Sequence, residues 1–162
     1  MKKIIVLLFV LTIIYISKSE EEIIIPTNSI RYRIIANSDS TKDQMLKMNI
    51  KEKLDEEILP ILSDSNSIED SRLLIKDNLD NIKNIVSKYT DDFDVNYGKN
   101  YFPKKTYKGI NYDAGNYESL VITLGSGLGK NWWCVLYPPL CLIDENTNDV
   151  EYTTLVKEIL KK

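Results

Sequence analysis

Ile75, Leu79, Ile82, Val86 and Tyr89 recur at spacings of four, three, four and three, and no other feature constrains this chain as tightly. A stripe of that period is one apolar face of a helix, and it has to be buried against something. A second stripe precedes it: Leu46, Ile50, Leu54, Ile58 and Ile61, at spacings of four, four, four and three, with lysines and glutamates filling the other faces. Ser40 with Asp43, or Thr41 with Gln44, supplies a capping pair for the first helix, and Ser67 with Asp70 supplies one for the second. Pro60 marks the end of the first helix. Two consecutive helices with a short link need a common surface to lie on.

Strands supply that surface. Ile30, Tyr32 and Ile34 alternate with Arg31 and Arg33, and Phe93, Val95 and Tyr97 alternate with Asp94 and Asn96. Leu120, Ile122 and Leu124 alternate with Val121 and Thr123, apolar enough on both faces for a central strand. Trp132 to Tyr137 is the last strand, stopped by Pro138-Pro139. Between these segments, Gly98-Lys99-Asn100 reads as a turn and Tyr101 to Tyr107 as an edge or irregular strand around Pro103. Gly109 to Asn116 reads as a loop, and Gly125 to Gly129 as a flexible hairpin loop. Thr153 to Lys162 suits a short terminal helix. The order predicts an α+β fold, a two-layer sandwich of a mostly antiparallel sheet packed by two consecutive helices.

At 162 residues there is room for one domain. Its expected limits are 30–144, after a spacer at 20–29 and before a polar tail at 145–162. Residues 1–19 have the layout of a secretory signal: Lys2-Lys3, an apolar run from Ile4 to Ile16, then Ser17 and Ser19 at a candidate cleavage site. Cleavage after Ser19 and retention as a membrane anchor are both open readings, and both place the body outside the cytoplasm that made it. Losing residues 1–19 takes three lysines and leaves 18 basic against 24 acidic residues. Such a body has no electrostatic reason to bind nucleic acid or lie on anionic lipid, so membrane contact is expected through the N-terminal segment alone.

Histidine is absent. That excludes histidine acid–base catalysis, Ser-His and Cys-His couples and the usual zinc sites. The run Gly125-Ser126-Gly127-Leu128-Gly129-Lys130 fails as a phosphate loop: Leu124 stands where the first Gly is needed, and Asn131 where Ser or Thr is needed. No cofactor, metal or catalytic residue is expected. Cys134 and Cys141 bracket the Pro-Pro turn; export favours a disulfide, with two buried thiols as the other reading. In a strand, Trp132 and Trp133 point to opposite faces, so one suits the core and the other a contact surface. Arg31 and Arg33 share a face and would either pair with the acidic helices or bind a partner's carboxylate. Capping explains much of the Asn37-Ser38-Asp39-Asp43 cluster.

Two blocks together carry a resemblance. One is Arg31-Tyr32-Arg33-Ile34-Ile35-Ala36-Asn37-Ser38-Asp39-Ser40, with Asp43-Gln44 and Lys47 after it; the other runs from Ala114-Gly115-Asn116-Tyr117-Glu118 through Gly125 to Cys141. With Tyr101-Phe102-Pro103 they resemble the stage II sporulation protein R family of endospore-forming bacteria, over about Ile30 to Asp144. The resemblance implies a non-enzymatic signalling protein. It would be exported from the forespore into the septal intermembrane space and required there for activating a membrane-embedded aspartic protease in the mother-cell membrane, which processes the sigma-E precursor. Val121 departs from the family, which often has Arg there, so a charged edge residue would be missing from the contact surface. The candidate partner-binding residues are Arg31, Arg33, Asn37, Asp39, Gly115, Tyr117, Asn131, Trp132 and Trp133. The competing reading is a secreted cell-wall or carbohydrate-binding module without catalysis.

Overall fold

The structure, a computed structural model, describes residues 23, 25–143 and 146–161. The signal-like segment at 1–19 lies outside them. The sheet has four strands in the order β2-β5-β1-β6, with β1 at Ile30–Ile35, β2 at Phe93–Phe102, β5 at Gly115–Leu124 and β6 at Asn131–Tyr137. β1 runs parallel to β5 and antiparallel to β6, and β2 is antiparallel to β5. The α+β sandwich expected from the sequence is present.

One face of this sheet carries the helices. α1 spans Thr41–Glu57 and α3 spans Ile68–Ser87. Ser40 and Ser67 are their N-caps, each accepting a hydrogen bond from the backbone N–H of the acidic residue three positions on. The first apolar stripe does not stay on one helix. α1 stops at Glu57, and a short α2 at Leu59–Ser63 restarts with Pro60 in its first turn, where a missing N–H costs little. The core between the layers joins Ile30, Tyr32 and Ile34 of β1 to Ile50, Leu54, Ile75, Ile82, Ile85 and Val86 of the helices and to Leu120, Ile122 and Leu124 of β5. Ile61 and Tyr89, at the far ends of the two stripes, are exposed. Arg72 of α3 clamps the helix to the sheet: its Nε and Nη2 donate to Glu118 at 2.8–3.1 Å, and the Tyr97 hydroxyl donates to the same carboxylate at 2.6 Å.

The opposite face has a smaller core of its own, which the sequence pattern did not foretell. β3 at Lys105–Tyr107 and β4 at Ile110–Tyr112 form a two-stranded hairpin. It packs with α4, at Asp149–Leu160, and with Ile25 around Val135, Leu140, Tyr152 and Val156. Both the 20–29 spacer and the 145–162 tail therefore feed side chains into this cluster.

Several local expectations change accordingly. Gly98-Lys99-Asn100 does not turn; β2 runs through it, paired with β5 residue by residue, and Asn100 donates to Ser119 Oγ at 3.0 Å. Long-range pairing outweighs local turn preference there. Tyr101-Phe102 ends β2, Pro103 breaks the ladder, and only Lys105–Tyr107 forms the next strand. The loop expected from Gly109 to Asn116 contains β4 and the start of β5. The terminal helix begins at Asp149, capped by Asn148, and not at Thr153. Gly125–Gly129 is no hairpin, since β1 lies between β5 and β6. Among the described residues no helix is long and apolar enough to cross a membrane.

Two stability effects follow. Val156→Ala removes two methyl groups from a fully buried site and is expected to cost about 2 kcal/mol in urea unfolding. The Arg72 hydrogen bonds, with that of Tyr97, hold the Glu118 carboxyl below its ordinary value of 4.5. A carboxyl so depressed stabilises the fold fully above about pH 4.5 and loses that contribution as pH falls through its folded pKa. Glu118→Gln is therefore expected to cost roughly 1 kcal/mol at pH 7, after allowing for partial exposure, and to flatten the acid side of the stability curve.

Candidate functional site

The two sequence blocks meet in space. β5 and β6 flank β1, so the Gly125–Lys130 loop has to pass over the point where β1 ends and Ala36-Asn37 leaves the sheet. There the backbones bond directly: Gly129 N–H donates to the Ala36 carbonyl at 2.9 Å and Leu128 N–H to the Asn37 carbonyl at 3.1 Å. Asn37 Oδ1 accepts from the Ser126 N–H and from its hydroxyl, both at 2.9 Å. Asn37 Nδ2 in turn donates to Asp43 Oδ2 at 3.0 Å, and Ser38 Oγ donates to the same oxygen at 2.5 Å. Asp39 accepts from the Lys130 N–H at 2.7 Å. Lys47, buried on α1, donates to Gln44 at 2.7 Å and to the Lys130 carbonyl at 3.0 Å.

This latch explains the glycines. Gly125 and Gly127 have positive φ. A Cβ on Gly129 would collide with the carbonyl of Ser38 and come within 2.9 Å of the Ala36 oxygen. Asn37 and Asp39, together with Asp43, Gln44 and Lys47, are thus occupied in holding the crossing. At its apex the loop presents Leu128, 84% exposed, which nothing in the spacing of the glycine run marks out.

Arg31 is not at the surface. It is 1% exposed and faces away from the acidic helices, so neither expected partner reaches it. Its guanidinium lies over the Tyr117 ring, 3.3 Å from the centroid, with the Phe102, Trp133 and Tyr112 rings at 5.2, 5.6 and 5.9 Å. Among the described residues Nε and Nη1 meet no hydrogen-bond acceptor. The π faces hold the cation, whose pKa burial lowers; a guanidinium stays charged in proteins. Gly115 contributes by omission: a Cβ there would press on the Tyr117 ring at 3.1 Å. Arg33, next on the same face, is half-buried; it stacks 4.6 Å from the Phe102 centroid and donates to the Tyr101 carbonyl at 3.4 Å. Val121, opposite Arg33, is buried on an inner strand, so no edge position is missing a charge there.

The tryptophans divide between the two cores. Trp132 packs against the helix-side core and meets Tyr32 edge-on, while Trp133 joins the second core beside Phe102 and Tyr112. Neither is simply a surface anchor. Cys134 and Cys141 are joined in a disulfide that ties β6 to the 3-10 turn at Leu140–Leu142. Along β6 lies a cleft of about 240 Å³, bordered by Asn131, Trp132, Trp133, Cys134 and Val135 on one side and by Lys105, Tyr107 and Tyr152 on the other. Among the described residues of this arrangement no nucleophile is paired with a base. Lys105 and Asn131 are accessible at the cleft, and the exposed Lys130 and Leu128 come just before the first residue of β6.

The stage II sporulation protein R model matches residues 26–147, from the spacer through the disulfide turn. The chain belongs to that family. A stage II sporulation protein R from Bacillus subtilis (strain 168) is 41% identical over 152 residues, covering 90% of this chain and 68% of the relative. No solved structure matches the chain significantly. Membership assigns a role in sporulation, and the two blocks that carried the resemblance are the two sides of the β1 crossing.

Arg31→Ala is expected to lower stability by about 3 kcal/mol or more and to reduce the near-ultraviolet circular dichroism of the aromatic cage. Arg31→Glu is expected to leave the second core unfolded. Gly129→Ala should destabilise more than Ser126→Ala, because a backbone carbonyl, unlike a side chain, has nowhere to move; urea midpoints of the pair decide this.

Proposed function

We propose that this chain is an exported signalling protein of endospore formation. It acts, without catalysis of its own, by binding the membrane aspartic protease that processes the sigma-E precursor, in the septal intermembrane space. The observation that carries the reading is family membership over the whole four-stranded sheet and the helices α1 to α3, from residue 26 to residue 147. The geometry supports a binding role. The rare residues of the two blocks are spent on building a rigid crossing, and that crossing projects an apolar side chain and the adjoining end of an edge strand.

Binding activates only if it favours the active arrangement of the protease over the inactive one. A nearly complete switch requires roughly 10⁴-fold tighter binding to the active form, or about 5.5 kcal/mol. The contact must therefore extend beyond a single side chain.

The test is reconstitution in a bacterium that does not sporulate. The protease and the sigma-factor precursor are expressed with and without the full chain, and precursor length is followed by immunoblot. Shortening that depends on the chain is the expected result; its absence, with all three proteins present and the chain exported, overturns the reading. Of the two arginines, only Arg33 can be charge-reversed without dismantling the core. Leu128→Asp, at an exposed tip, should leave the melting temperature unchanged and slow conversion of the precursor several-fold.

A further inference from the structure

The two edges of the sheet are protected very differently. β2 carries Asp94 and Lys99 and is followed at once by Pro103, devices that discourage pairing with another strand. β6 carries no charged residue from Asn131 to Tyr137, and among the described residues no strand pairs with its outer side. The disulfide and the 3-10 turn cover its later half at Cys134. Five consecutive residues of β6 border the cleft, from both faces of the sheet. A cleft along the strand's edge meets residues of both faces. Its walls are aromatic, and its charge is positive. Lys105 lies 5.1 Å from the Trp133 centroid and has no carboxylate partner among the described residues. Lys47 lies close enough to feel both Lys105 and Lys130: burial lowers its pKa first, Asp39 opposes that shift, and the two ammonium groups lower it further.

We propose that the Asn131–Trp133 edge and its cleft seat an extended segment of the partner protein, which adds to the sheet as a further strand and places an apolar side chain in the cleft with a carboxylate against Lys105. Strand addition of this kind draws affinity from the main chain and selectivity from the side-chain pockets. A second copy of this chain is the poorer occupant. The open edge is short, so two copies paired through it would bring both lysine clusters together in like-charge opposition. The proposal rests on the activator reading and specifies where and with what chemistry that contact is made.

A photo-crosslinking amino acid is placed at position 105 or 131, and as controls at positions 80 and 83 on the outer face of α3, in the full chain co-expressed with the protease and precursor. Adducts with the protease from 105 and 131 and none from 80 or 83 are expected. In the same strain Lys105→Glu is expected to slow precursor conversion at least fivefold at an unchanged melting temperature, with Lys105→Arg restoring it. Conversion by the wild-type chain together with full activity of Lys105→Glu, or protease adducts from the α3 positions alone, overturns the cleft. Adducts between copies of this chain from 105 and 131 assign the edge to self-association and overturn it too. No conversion with the wild-type chain overturns the activator reading and, with it, the choice of occupant.

Discussion

The place of β1 inside the sheet is the constraint on which the rest of the structure depends. Flanked by a parallel β5 and an antiparallel β6, it obliges the chain leaving β5 to cross over its end. At that crossing two backbones lie within hydrogen-bonding distance, which leaves no room for a side chain on Gly129. The crossing also fixes where β6 begins. With Lys130 N–H held by Asp39, Asn131 starts the strand opposite Ile35, Trp132 faces the helices and Trp133 faces the second core. A slip of one residue would exchange the two tryptophans and turn Cys134 away from Cys141. The hydrogen bonds of Asn37, Asp39 and Asp43 are therefore a register device, with consequences felt along the whole of β6.

The second core depends in the same way on a single unusual choice. A cation at a buried position between Tyr117, Phe102, Trp133 and Tyr112 loses its hydration, and four ring faces have to offset that loss. A planar guanidinium can lie flat at 3.3 Å from the Tyr117 centroid, whereas a lysine ammonium is a strongly hydrated point charge without that geometry. Arg31 thereby joins β1 to β2, β4, β5 and β6 on the face opposite α1 and α3. The hairpin, the terminal helix and Ile25 close over the same cluster.

What was legible in the sequence was whatever periodicity decides. The α3 stripe, both serine caps, the alternation of β1 and the central character of β5 follow from spacing, and the structure has all of them. What was not legible was set by partners distant along the chain. Gly98 to Asn100 has turn composition but is paired over its whole length with β5. Arg31 alternates as an exposed residue would, and nothing local reveals that Phe102, Tyr112, Tyr117 and Trp133 converge on it. Within the candidate site, Asn131 and the tryptophan pair stood out by composition. Leu128 and Lys105 did not, because their importance lies in exposure and position, which a sequence records only through its fold.

If the chain activates a protease by binding, as proposed, its size leaves a narrow choice of means. Burying one leucine side chain contributes about 1.5–3 kcal/mol, well short of the roughly 5.5 kcal/mol that a nearly complete switch demands. A purely electrostatic contact is also insufficient, since exposed ion pairs contribute at most about 1 kcal/mol each. A strand edge differs because its main-chain groups recur along the strand and are already aligned by the sheet behind them, so little ordering cost falls on this side of the contact. The crossing supplies that rigidity at the place where Leu128, Lys130 and the open end of β6 come together. The same glycine loop that fixes the register of the fold therefore also fixes the position of Leu128, the most exposed large apolar side chain among the described residues. On the proposed reading, a substitution that loosens the loop would weaken binding through disorder even where it removes no contact.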